Sequence, residues 1–194
     1  MKKILSLLLV LTMVFSLVAC GGNNNAEPTE APTEAPTEAP VALPASALAL
    51  LEELWDAQEE KFPVFGGDSA TMVADAPGAY GLEDTETLAV QLLVPAEQAG
   101  LIDEAASLFH GMMLNNFTCG AFHTSDAETL ANAISEKMQN NQWMCGFPEK
   151  GFVATLGGEY VVMAFGLQQV IDPMVAALQE AYPAAQFMFN DAIV

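Results

Sequence analysis

The chain has 194 residues, of which 25 are acidic and 5 are lysines, with no arginine, for a formal net charge of −20. That balance excludes nucleic-acid binding, which needs clustered cations to neutralise phosphates, and electrostatic docking on anionic lipid. A hydrophobic fraction of 52% over this length is enough to bury one ordinary domain core.

At the N-terminus, Lys2 and Lys3 precede an uncharged apolar run from Ile4 to Val18. A membrane span needs about 20 apolar residues, so this shorter run fits the apolar region of a secretion signal over residues 1–19. The sequence Leu17-Val18-Ala19-Cys20-Gly21 resembles the bacterial lipobox, in which a cysteine is diacylated before the signal is cut off ahead of it. The resemblance implies a lipid on Cys20 and a protein held at the extracytoplasmic face of the cell membrane; the alternative is an ordinary signal peptide that leaves Cys20 a thiol. The three successive repeats Pro28-Thr29-Glu30-Ala31, Pro32-Thr33-Glu34-Ala35 and Pro36-Thr37-Glu38-Ala39 then predict an extended spacer over residues 20–43. At about 3 Å per residue, the 20 residues from Gly21 to Pro40 alone reach about 60 Å from a bilayer.

Residues 44–194 are expected to form a single α+β domain. Beyond Cys20 only Lys61, Lys137 and Lys150 are basic, so its surface is strongly acidic. A helix is predicted from Ala45 to Glu60, with Leu48, Leu51, Leu54 and Trp55 on one face. Gly66-Gly67-Asp68 and Pro77-Gly78 mark loops, and a short helix follows Asp84 and ends before Pro95. Spacings of three and four among Leu101, Ile102, Ala105, Leu108, Phe109, Met112 and Met113 predict another helix, giving a mainly helical N-terminal segment.

The remainder reads strand, helix, strand, strand, helix, strand. Phe117 to His123 is a strand, and Ser125-Asp126-Ala127-Glu128 matches a capping box for a helix reaching about Gln139. Phe152–Leu156 and Tyr160–Phe165, joined by Gly157-Gly158, form a hairpin. Asp172-Pro173 starts a helix ending near Pro183, and Gln186–Phe189 is the last strand. This order predicts a ferredoxin-like βαββαβ half with an antiparallel-rich sheet and helices on one face.

Few residues point to chemistry. Trp143 and Phe147, in Trp143-Met144-Cys145-Gly146-Phe147-Pro148, either wall a pocket for an apolar ligand or plug the core. Cys119 and Cys145 are either a disulfide, which would close a loop of about 26 residues and contribute about 3 kcal/mol, or two buried thiols. A thiol or metal site using Cys119, His123 and Cys145, with His110 as a fourth ligand, is a further reading, because residues four apart on a strand share a face. Methionines beside His110 suggest copper(I) or, alternatively, flexible packing. No metalloprotease, nucleophile-elbow, phosphate-loop or dinucleotide motif is present, so no catalytic residue and no cofactor are expected.

The stretches Ala106-Ser107-Leu108-Phe109-His110, Asn116-Phe117-Thr118-Cys119-Gly120, Gln142 to Pro148 and Tyr160 to Gly166 resemble a group of uncharacterised extracytoplasmic lipoproteins of gut clostridia and their relatives. Some of that group carry a bile-acid-transporter label. A mature chain without a membrane span forms no transport path, so the resemblance implies a non-enzymatic binding or accessory module. Its partners would be the membrane, through the lipid, and either an apolar small molecule or an envelope protein; a purely structural lipoprotein is the alternative.

Overall fold

A computed structural model describes residues 42–144 and 146–193. The expected signal, Cys20, the repeats and Cys145 lie outside the described residues, and so does the choice between a Cys119–Cys145 disulfide and two thiols.

The first helix, α1 (Ala47–Asp56), starts where the Ser46 hydroxyl accepts the Ala49 N–H at 2.9 Å. It buries Ala47, Leu50, Leu51, Leu54 and Trp55. It stops four residues before the expected Glu60, and the Lys61 ammonium donates to the Trp55 carbonyl there while lying 4.4 Å from the centre of the Trp55 ring. A cation suits the negative end of a helix. Three short strands follow, β1 (Val64–Gly66), β2 (Val73–Ala74) and β3 (Gly78–Ala79). The Asp68 carboxylate accepts the N–H groups of Ala70, Thr71 and Gly81, which holds this segment together and keeps that carboxyl below its usual range. Gly66 has no room for a Cβ against the Gly78 backbone. The second helix, α2 (Thr85–Gln91), is capped by Asp84 as expected.

Residues expected to be helical instead form strand β4 (Ile102–His110). Both its faces are buried. Ala106 and Leu108 enter one core and Ala105 and Phe109 the other, so the apolar residues do not alternate and mimic helical spacing. The segment ahead of the C-terminal half is therefore mixed, with four strands beside two helices, and not mainly helical.

The C-terminal half has the expected element order: β5 (Phe117–Thr124), α3 (Ala127–Asn140), β6 (Lys150–Leu156), β7 (Tyr160–Gly166), α4 (Gln168–Ala181) and β8 (Gln186–Ala192). Gly157 and Gly158 make the β6–β7 turn with φ of 57° and 80°. α4 begins four residues before Asp172, with the Glu149 carboxylate accepting the Gln168 N–H, and Pro173 lies inside it.

The described residues give an α+β fold built on one eight-stranded antiparallel sheet of order β2-β1-β4-β5-β7-β6-β8, with β3 also on β4. In the ferredoxin-like order the last strand would pair with the first, β5. Here β4 already occupies that edge of β5, so β8 pairs with β6 instead. Moving β8 to the far side reverses the direction of the β7–α4–β8 crossover, and a right-handed connection then requires α4 on the opposite face from α3. The cores show this. α1 and α4 cover one face over Leu108, Phe117, Cys119 and Phe152, and α2 and α3 cover the other over Phe109, Phe122, Val153 and Met163. The expectation of helices on one face is corrected to helices on both.

Candidate functional site

Cys119 lies mid-way along β5 with its free thiol fully buried against the α1–α4 core, where desolvation pushes its pKa up. His123 points to the same face, but four strand residues span about 13 Å. Its ring instead meets the Asp103 carboxylate at 2.5 Å and packs against Tyr160 with centroids 4.9 Å apart. Zinc holds sulfur and nitrogen ligands at about 2.0–2.3 Å, so Cys119 and His123 cannot share an ion. His110 stands at the far end of the sheet, and the described residues contain no group of three metal-ligating side chains. The metal reading is corrected to that extent.

Trp143 and Phe147 also part company. The Trp143 ring is half-buried, 4.7 Å from that of Phe165 in the α3-side core, whereas Phe147 is 76% exposed. The best-formed cavities are lined by other residues. A pocket walled by these two rings is thus not what the structure builds. It uses one as core and leaves the other on the surface.

The largest of the best-formed cavities among the described residues is a groove of about 1120 Å³ between the C-terminal end of α1 and α4. Its apolar lining comes from Leu54, Phe62, Val170, Ala177 and Ala181. Phe62 packs edge-on against Trp55 and Phe117, which fixes the floor. His110 stacks on Phe62 with ring centroids 5.3 Å apart. Its Nδ1 accepts the N–H groups of Met112 and Met113 at 3.1 and 3.3 Å, which leaves the proton of the neutral ring on Nε2. On the α4 wall, Pro173 has no N–H to offer the Gln169 carbonyl, so that acceptor lacks its helical partner beside the groove.

The rim is acidic. Glu53, Glu59, Glu60 and Glu180 line it, against Lys61 alone, whose ammonium is turned onto Trp55. Glu53 accepts the Tyr182 hydroxyl at 2.5 Å, joining α1 to the end of α4. Burial first, then the bond to Glu53 and its charge, push the Tyr182 phenol up. The other two lysines are engaged elsewhere, Lys150 with Asp172 at 2.8 Å and Lys137 with the Ala89 carbonyl at 2.6 Å.

The residues of this groove were not legible as a set. Leu54, His110 and Val170 are more than fifty residues apart along the chain, and only the packing of α1, α4 and the end of β4 brings them together. The one local signal, Pro173, reads naturally as a helix start. No family model, curated protein or solved structure matches the chain.

Proposed function

We propose that this chain is a non-enzymatic binding module, held at the extracytoplasmic face of the cell membrane by lipid on Cys20, whose α1–α4 groove seats a small molecule with an apolar body and a positive group. The observation that carries this reading is an apolar floor beneath a rim of four glutamates. Concave apolar sites with a few placed polar groups are the usual form of small-molecule seats. The lipobox resemblance and the proline-spaced stretch supply the anchor and the reach.

Native mass spectrometry of the lipidated chain released from its host in mild detergent tests this. The intact mass is expected to carry the diacyl group on Cys20 and, in part of the population, a small cationic adduct. Ala176→Trp, which places an indole in the groove from an exposed position, is expected to remove the adduct and keep the lipid. An adduct unaffected by Ala176→Trp, or none at all, would overturn the groove assignment, and an unmodified Cys20 would overturn the anchor.

A further inference from the structure

Two loops meet at one end of the sheet. Residues 111–116 join β4 to β5, and residues 141–149 join α3 to β6; their common end follows from the pairing of Gly166 with both Phe117 and Lys150. Asn115 ties them, its Nδ2 donating to the Met144 and Gly146 carbonyls at 2.7 and 2.8 Å. The Met113 methyl lies 3.7 Å from where a Cβ on Gly146 would stand. Around this junction Met112 is 87% exposed, Met144 78% and Phe147 76%, with Met113 and Leu114 also on the surface. No Asp, Glu, Lys or Arg occurs from residue 105 to 125 or from 138 to 148, in a chain with 25 acidic residues. These five exposed apolar side chains therefore sit on loop tips whose neighbouring chain carries no Asp, Glu, Lys or Arg.

Three occupants fit an apolar, uncharged patch: a second copy, another protein, or a bilayer. Stable protein interfaces take about 20–30 residues and 800 Å² a side, and five side chains on two tips fall short of that. A bilayer needs less, because apolar side chains on loop tips can enter it singly, each gaining from the water it leaves, without a complementary partner surface. The length of chain ahead of the domain permits it. Leu43 packs at Gly157, in the β6–β7 turn, at the end of the sheet away from the patch. The seven residues of β7 span about 23 Å. The 22 residues from Cys20 to Val41, if extended, reach about 65 Å, enough to turn the patch towards the membrane. The acidic remainder would be repelled from anionic lipid, so only this pole can approach closely.

We propose that Met112, Met144 and Phe147 form an interfacial foot that dips into a lipid surface, with the mouth of the groove beside it. His110 makes that link, since its ring lines the groove and its Nδ1 holds the backbone of Met112 and Met113. The proposal rests on the tethered reading for reach alone. Its test uses a chain without lipid, so failure of one is distinguishable from failure of the other.

The experiment is flotation of the chain from residue 20, carrying Cys20→Ser, with phosphatidylcholine vesicles. The parent is expected to float, and less so when phosphatidylglycerol is added. Met112→Ser with Phe147→Ser is expected to lower the floated fraction about tenfold at an unchanged melting temperature, with partial loss in each single variant. Val90→Ser, at an apolar residue 77% exposed on α2, is expected to change nothing. A parent that does not float, or variants that float equally, would overturn the foot. A parent that sediments as a dimer and a double variant that sediments as a monomer, without flotation, would assign the patch to a second copy instead.

Discussion

Burial decides what Cys119 can do. A thiolate is disfavoured in an apolar interior, so the side chain is a packing group in the α1–α4 core and not a nucleophile. With Cys20→Ser and Cys145→Ser removing the other thiols, Cys119 is expected to resist a thiol reagent for hours in native buffer and to react within minutes once denaturant opens the fold. Fast native labelling would contradict its placement. Individual side chains were only half legible beforehand. A strand pattern tells which face a residue takes, so it grouped Cys119 with His123, but the distance between them follows from the strand rise. Likewise Trp143 and Phe147 share one short motif, yet the turn at Gly146, with φ of 124°, lies between a half-buried ring and an exposed one.

Elements were more legible, because their signals are local. Asp84 and the Ser125–Glu128 stretch both marked real helix starts. The cap of α3 is Asp126, one residue along from the expected Ser125: its carboxylate accepts the Thr129 N–H at 3.1 Å. Those bonds to Thr129 hold the Asp126 carboxyl below its usual range. A lowered folded-state pKa means the stabilising contribution is present above the ordinary carboxylate value, about 4, and is lost as pH falls through the folded value. Asp126→Ala is therefore expected to lower the melting temperature by about 3 °C at neutral pH, with the gap closing in acid. Thermal melts of both proteins from pH 7 to pH 2.5 check this; a gap that persists in acid would contradict the cap. β4 was missed because burial on both faces erases alternation. α4 was placed too late because Asp172-Pro173 has the chemistry of a helix start, while the actual cap comes from Glu149, nineteen residues away along the chain.

At the scale of the molecule, element order left two things undetermined, the edge that β8 joins and hence the face that α4 covers. Occupation of the outer edge of β5 by β4 sets the first, and crossover handedness the second. With α4 on the face of α1, the groove between them exists; with α4 beside α3, it would not. Charge follows the same division. The acidic composition was plain in the sequence, but its consequence, four glutamates around an apolar floor and an uncharged pole beside it, depends on the fold. The central claim is that this groove is the ligand seat. It is tested most directly by amide chemical-shift mapping of the Cys20→Ser chain titrated with dodecyltrimethylammonium below its micelle concentration, with dodecyl sulfate as the anionic control. The cationic probe is expected to move the amides of Phe62, Val170 and Ala177, the anionic one to leave them in place, and Ala176→Trp to abolish the response. Equal shifts with both probes, or shifts that leave those three amides untouched, would contradict the account.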